Sequence, residues 1–559
     1  MLRTVRKSIK LHVLPNLLFF GLVRRIKNNA DVINRGYVNY YWRQSKSKKV
    51  ILYTLFIFIL SPVLIFKKSN YWIGKLGKKT VNSGFKSVMR QRIEQYYLSL
   101  FFSIDAENYY LQEFYRPDGL KRARYFVSKG AIKRGVYNLL IEYGQQIAKY
   151  KQKCSLDNKV EFVKFCQKKG LPVVPVLLEI RADKPLDLKY TASKKLSPLP
   201  KMNLFCKPGQ DNEGKGAEAW IWRGGNLYEN YDCQFLVAED LYNRLFSIAK
   251  KHSCKLVLVQ PLVLPHTVLC TFRKNATPTV RIITYIDPDG EVIKPDVAML
   301  RFSRHEKSVV DNASAGGLVA PINIENGVLG AATSKDEDFI PARLECIPGS
   351  EKSITGFTLP YWNELLELVL HAHSYFPHYF IIGWDVIITD QGPVILEGNS
   401  QPGLCYIQKA HLKSLGEMAV GSAMAEYVKK AENFLQNGII SNYISEETES
   451  VDFYQGSHFK RWLSKYFIQN EQIIQLFIEG KVQGVSYRKW IKKEANKLKL
   501  NGWVRNLPDG RVEAVIKGRA IDVEDLLRLS VVGPKNAVIR KVNVKKYSNP
   551  VRQGFNIIK

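Results

Sequence analysis

The sequence predicts a multidomain protein of mixed α/β and α+β class, and three observations predict it. At 559 residues the chain is too long for a single hydrophobic core. Between about residues 150 and 435, short β-branched runs such as LVLVQPLVL, TVRIITYI and YFIIGWDVII alternate with helical patterns and are bounded by Gly, Pro or Asp. Such runs are strands of buried sheets. From about residue 472 the order reads strand, helix, strand, strand, helix, strand, a compact βαββαβ unit.

The first 150 residues are basic, aromatic and apolar, and they are expected to form a helical, membrane-associated region. Residues 1–90 hold nineteen Lys or Arg against one acid, Asp31, so eighteen of the thirty-two excess positive charges lie in the first sixth of the chain. Within them Val50 to Phe66 (VILYTLFIFILSPVLIF) is uncharged and flanked by Lys46, Lys48, Lys49, Lys67 and Lys68. As a helix it would span about 25 Å against a hydrocarbon core of about 30 Å, and Pro62 weakens it further. A short hairpin or an interfacial helix on an anionic leaflet is favoured over a crossing, with a buried core helix as the remaining reading. The earlier apolar stretch Leu11 to Val23 is followed by Arg24 and Arg25 and not by a small-residue cleavage site, so export is not expected.

Eight scattered cysteines without a CxxC pair suit a reduced, cytoplasmic protein better than a disulfide framework or a zinc site. His371-Ala372-His373 has ligand-like spacing, but residues two apart on a helix face different sides. Nucleic acid is not expected as a partner, because no groove-reading or RNA-stacking motif accompanies the basic arm. The acidic stretch SEETESVD (445–452) reads as a linker. The expected division is therefore 1–150, 151–435, a linker over 436–471, and 472–559.

In the middle region Lys207 ends a strand just before a loop carrying Gly214 and Gly216, and a lysine so placed can pair with phosphates while the loop closes over them. Asp385 lies on FIIGWDVIIT, with Glu397 and Asn399 on the following VILEGNSQPG. Strand alternation puts Glu397 and Asn399 on one face, and a tight turn at 390–393 can bring Asp385 alongside. Hard oxygen ligands so grouped suit Mg²⁺ bridging phosphates.

In the last unit a strand ends at Gly480 and the loop Lys481-Val482-Gln483-Gly484-Val485-Ser486-Tyr487-Arg488 opens a helix. Backbone amides at a helix start converge on one point and the helix dipole adds positive character there, so residues 483–487 form a phosphate cradle. Arg488 adds a bidentate, permanently charged clamp. Asn506, on the strand GWVRN, carries an amide that both donates and accepts and so can orient a water. Residues 472–559 contain no His and no Cys, which excludes a phosphohistidine or phosphocysteine there and leaves direct attack by water. An acyl phosphate needs little more, because its carboxylate leaves readily.

GKVQGVSYR followed by GWVRN and DGRVEAVIKG closely resembles the acylphosphatase signature, over about 88 residues. The resemblance implies a ferredoxin-like fold, Arg488 as phosphate-binding arginine, Asn506 as water-positioning asparagine, and no cofactor. Ser486-Tyr487 departs mildly from the Gly-Phe common in that family. In the middle region Lys207-Pro208, Gly214 and Gly216, the strand with Gln260, Arg281, the loop Asn312 to Gly317, and Asp385, Glu397 and Asn399 ending in Pro402-Gly403 resemble the ATP-grasp superfamily, closest to its sugar-transfer associated group. That resemblance implies ATP and Mg²⁺ as cofactors: Lys207 on phosphates, Gln260 at the adenine and ribose, Arg281 on the acyl phosphate or γ-phosphate, and the Asp385, Glu397 and Asn399 set on the metal. Such enzymes join a carboxylate to an amine or thiol through an acyl phosphate.

The expected function is a cytoplasmic, membrane-associated enzyme in which an acylphosphatase is fused to an ATP-grasp carboxylate ligase, in polysaccharide or cell-envelope modification. The alternative is a membrane-bound scaffold that binds nucleotide without turnover and uses the small domain for docking.

Overall fold

The computed structural model describes residues 26–44, 62–147, 155–437 and 471–558, apart from 184–197, 210–215, 305–308, 312–315, 335–339 and gaps of three residues or fewer. Leu11 to Val23, residues 50–61, Gly214, Asn312 and residues 438–470 of the linker therefore fall outside the described residues, as does part of 523–532, where the second helix of the last βαββαβ unit is expected. The chain divides into two compact units, Met1–Gln455 and Gly456–Lys559.

The first unit opens with helices. α1 is Asn29–Gln44, α2 is residues 62–82 with a π turn at Ile73–Gly77, α3 is Val88–Phe102, α4 is Ala106–Leu111 and α5 is Tyr137–Ile147. Among the described residues no helix is long and apolar enough to cross a membrane.

α6 (Lys159–Lys168) leads to a six-stranded antiparallel sheet. Its strands are β1 (Leu178–Arg181), β2 (Leu204–Pro208), β3 (Glu218–Trp222), β4 (Leu227–Asn230), β5 (Phe235–Val237) and β6 (Leu256–Pro261), in the order β1-β6-β2-β3-β4-β5. α7 (Ala238–Lys251) covers it, since Leu241, Tyr242, Leu245 and Ala249 recur at helical spacing and pack on Trp220, Tyr228 and Val259.

The second sheet has the order β11-β10-β7-β8-β9, with β7 Thr279–Ile286, β8 Ile293–Phe302, β9 Leu318–Ile322, β10 Ile381–Thr389 and β11 Gly392–Asn399. Its two faces differ in chemistry. Behind it lies α8 (Trp362–Ser374), whose Leu365, Leu366, Val369 and Leu370 are buried. There the Trp384 indole donates to Thr284 Oγ1 (2.8 Å), Thr284 meets His373 Nδ1 (2.7 Å), and His373 Nε2 meets the Tyr379 carbonyl (2.8 Å). His373 is thus a hydrogen-bonded core histidine. After β11 come α9 (Cys405–His411) and α10 (Ala419–Asn437), and α10 packs on α1 and α5.

In the second unit β12 (Glu471–Lys481), α11 (Tyr487–Lys497), β13 (Asn501–Asn506), β14 (Val512–Arg519) and β15 (Val538–Lys546) follow the expected order. A strand that periodicity misses, β16 (Phe555–Ile557), pairs parallel to β13 and widens the sheet to β15-β12-β14-β13-β16. Three residues are too few to show alternation.

Candidate functional site

Cross-strand register builds the first site. Asp385 pairs with Glu397 on one side and Arg281 on the other, and Arg281 pairs with Met299, so three functional side chains stand in one row on one face. The turn that closes β10 to β11 is tight, with Thr389 opposite Gly392. Asn399 donates from Nδ2 to the Gly383 carbonyl at 3.1 Å. Gly383 is glycine for a reason of space, because a Cβ there would stand 2.5 Å from Pro402 Cβ.

The face is a network of paired charges. Arg281 grips Asp385 through two hydrogen bonds, one of them Nη2 to Oδ2 at 2.7 Å, and Arg301 Nη2 lies 3.4 Å from the same carboxylate. Arg301 is held in turn by Thr279 Oγ1 (2.7 Å) and Asp311 (3.3 Å). Burial opposes a charge on Asp385, but the Arg281 and Arg301 guanidinia outweigh it and hold the carboxyl well below the usual range. Glu397 lies 3.9 Å from Lys207 and 3.8 Å from Lys159. Burial pushes the Lys207 ammonium down to about 8 against the opposing pull of Glu397.

These groups line a cavity of about 630 Å³ together with Gln260. Gln260 Nε2 donates to the Val174 carbonyl at 3.3 Å, while its buried Oε1 has no hydrogen-bond partner among the described residues. The structure thus brings Lys207, Gln260, Arg281, Asp385, Glu397 and Asn399 to one cavity. Gly216, at φ +76°, turns the chain beside it but does not line it. Lys159, Arg301, Thr279 and Asp311 also line the cavity and escaped sequence reasoning. Arg301 sits two residues beyond Met299 on the same strand face, a signal usable only once the β7–β8 register is known. Among the described residues no group of three or more His, Cys, Asp and Glu could hold a metal ion.

The second site is built by backbone. Gly484 (φ +73°) and Ser486 (φ +61°) reverse the loop after β12. Among the described residues nothing lies within 4 Å of a Cβ at Gly484, so the requirement there is the left-handed backbone. The amides of residues 483–488 have no backbone acceptor among the described residues, and Ser486 gives α11 no side-chain cap. The Gln483 side chain is used differently from its backbone: Nε2 donates to the Leu507 and Arg511 carbonyls, both at 2.8 Å. That ties the loop to the β13–β14 turn beside Asn506. Tyr487 is core, its hydroxyl donating to the Ser530 carbonyl at 2.7 Å. Among the described residues Asn506 Oδ1, which is buried, has no hydrogen-bond partner, and Arg488, half-buried, makes no ion pair.

The comparisons with known proteins agree with this architecture. Residues 138–421 match the family model for sugar-transfer associated ATP-grasp, and residues 474–557 match that for acylphosphatase. The C-terminal segment is 43% identical over 84 residues to an acylphosphatase of Trichormus variabilis, covering 15% of this chain and 83% of the relative. It is 46% identical over 83 residues to an acylphosphatase of Thermococcus kodakarensis, covering 15% and 91%. A solved acylphosphatase from Coxiella burnetii is 35% identical, covering 16% of this chain and 94% of its own, with a TM-score of 0.16 over the whole chain. Fold and matches together define an ATP-grasp protein carrying a ferredoxin-like acylphosphatase domain. The chain belongs to the sugar-transfer associated ATP-grasp family through just over half its length, and its C-terminal domain belongs to the acylphosphatase family.

Proposed function

We propose that the chain is a bifunctional enzyme, an acylphosphatase that hydrolyses acyl phosphates to carboxylate and phosphate, fused to an ATP-grasp carboxylate ligase working through an acyl-phosphate intermediate. One observation carries the hydrolase reading: six consecutive amides without a backbone acceptor, a guanidinium outside any ion pair and a buried Asn506 Oδ1 without a hydrogen-bond partner, all among the described residues, belong to one small domain. Buried polar atoms are rarely left unpaired without a reason. The amides of 483–488 and the Arg488 guanidinium hold the phosphoryl oxygens, and Asn506 Oδ1 accepts a hydrogen bond from the water and aims it at phosphorus. The departing carboxylate needs no proton, so no general acid is required.

In the ATP-grasp domain Lys207 pairs with phosphate, Gln260 Oε1 accepts from the base or ribose, and Arg281 passes from Asp385 to the transferred phosphoryl group. The donor set fits Mg²⁺, since Glu397 and the Oδ1 of Asn399 are hard oxygens and Lys207 and Lys159 are now the counter-charges of Glu397. Bound there with Asp385 as a further ligand, Mg²⁺ would neutralise polyphosphate charge. The ligase makes a mixed anhydride of the kind the hydrolase destroys, so the small domain clears intermediate that escapes.

The same reading divides the chain into a helical region over 1–150, the ligase over 151–435, a linker over 436–471 and the hydrolase over 472–559. It places the protein in the cytoplasm at a membrane, in polysaccharide or cell-envelope modification. The test uses the full chain with acetyl phosphate, and with Mg²⁺, ATP and a panel of carboxylates and amines. Arg488→Ala abolishes acetyl phosphate hydrolysis and leaves ATP-dependent amide formation. Acetyl phosphate turnover that persists in Arg488→Ala defeats the hydrolase reading, and no ATP consumption with any pair leaves the scaffold as the better account.

A further inference from the structure

α3 is built inside out. It buries Gln91, Glu94, Gln95 and Ser99 with Leu98 and turns Met89, Ile93, Tyr97 and Phe101 outward at 65, 52, 42 and 48% exposure. These four recur every fourth residue, an apolar stripe of about 18 Å. A surface helix bathed in water carries the opposite polarity.

The inward polar groups fix this orientation. Gln91 accepts the Tyr110 hydroxyl at 2.6 Å and donates to Thr80 Oγ1 at 2.9 Å and the Lys86 carbonyl at 2.6 Å. Glu94 accepts from Tyr109 (2.8 Å), Lys86 (2.9 Å) and Arg90 (2.8 Å), and Ser99 donates to the Ile104 carbonyl at 2.8 Å. Rotating α3 to hide its stripe would strip all of these bonds from buried groups, which costs more than the stripe would gain.

α2 runs back along α3, with Thr80 at Gln91 and Lys68 paired to Asp105 at 3.0 Å. Arg92 Nη1 donates to Asn70 Oδ1 at 2.5 Å and so joins the outward edges of the two helices. The outward side of α2 is graded: Val63, Phe66 and Tyr71 are exposed in its first half, Lys67 among them, and Lys75, Lys78 and Lys79 in its second. Its first described residues, 62–66, belong to the uncharged run from Val50 to Phe66.

We propose that the outward faces of α2 and α3 dock on an anionic lipid surface, with the Met89, Ile93, Tyr97 and Phe101 stripe in the headgroup boundary and the lysines of α2 on lipid phosphate. Charge selects this occupant. Lys67, Lys75, Lys78 and Lys79, exposed on α2, draw the face to an anionic leaflet and oppose a second copy of itself, and the sequence around them is of the same sign, with eighteen excess positive charges in the first ninety residues. Tyr71 and Tyr97 suit the same depth, having an apolar ring and a wet hydroxyl. The inference is independent of either catalytic reading.

The test is flotation of the full chain with vesicles of phosphatidylcholine alone and of phosphatidylcholine mixed with phosphatidylglycerol. The wild type floats with the mixed vesicles, less so at high salt, and not with phosphatidylcholine alone. Met89→Ser with Phe101→Ser lowers partitioning about tenfold, the pair Met89→Leu with Phe101→Leu keeps it, and Phe235→Ser, at a position 53% exposed and far along the chain, changes nothing. Each variant is checked for an unaltered melting curve. Wild-type flotation by the serine pair overturns the proposal, as does failure of the wild type to float or a dimer dispersed by the serine pair with vesicle binding intact.

Discussion

Arg281 and Asp385 face each other across β7 and β10, joined by two hydrogen bonds at the centre of the ATP-grasp cavity. The carboxylate also carries Arg301, which Asp311 shares, so deleting it takes the printed counter-charge from Arg281 and one of two from Arg301. Asp385→Ala is therefore expected to destabilise the first unit by about 3–5 kcal/mol, the usual result of deleting one partner of a buried ion pair. Glu397→Gln, at a partly exposed site facing lysines nearly 4 Å away, should shift the melting curve little while still impairing ATP turnover. Chemical denaturation of both variants checks this, and equal losses of stability would contradict it.

Lys207 supplies a pH signature. Burial holds its ammonium near 8, whereas a polyphosphate beside it favours the charged form. ATP binding is thus expected to take up a proton above about pH 8 and to weaken as pH rises further. Calorimetry in buffers of different ionisation enthalpy reads the proton directly, and Lys207→Met should abolish the uptake. The stability sign is separate: the folded chain binds fewer protons than the unfolded one between pH 8 and the ordinary lysine value, so this group's contribution rises with pH across that window.

Asn506 and Arg488 should separate kinetically. Arg488 bears on the phosphoryl charge in ground and transition state, so Arg488→Ala raises KM and lowers kcat for acetyl phosphate by about 10³-fold. Asn506 touches only the water, so Asn506→Ala lowers kcat about 10²-fold with KM nearly unchanged, magnitudes typical of removing one preorganised group. Steady-state kinetics checks the split. Gln483→Ala should fall between them, because its amide ties the cradle to the turn after Asn506.

How far these sites could be read from sequence depended on how local they are. The cradle and Arg488 are contiguous, and Gly484 at positive φ announces the loop. Asp385, Glu397 and Asn399 were legible because a tight turn joins their strands. Arg301 and Lys159 were not, since their partners lie across register or some 240 residues away, and Asp311 becomes legible only once Arg301 is placed. The inverted polarity of α3 was equally hidden: its apolar stripe repeats at helical period, and only Tyr109 and Tyr110 on α4 reveal which side is inward. Gln483 was legible for its backbone alone, its side chain serving the turn.

His373 gives the last prediction. Its ring is buried between Thr284 and the Tyr379 carbonyl, and burial pushes its pKa down to about 4 from an ordinary value near 6.5. With the Tyr379 carbonyl accepting from Nε2–H, Nδ1 must accept the Thr284 hydroxyl, whose oxygen receives the Trp384 indole N–H. A second ring proton would break this chain. Below about pH 6.5 the unfolded state takes up a proton that the folded state refuses, so stability is full above that value and is lost as pH falls toward 4. The loss attributable to this one residue is on the order of 3 kcal/mol. His373→Gln keeps a donor and an acceptor but does not titrate, so its stability should fall less steeply between pH 6.5 and 4 than that of the wild type in urea denaturation at each pH. Parallel profiles for the two proteins would mean that the ring already carries its charge in the fold.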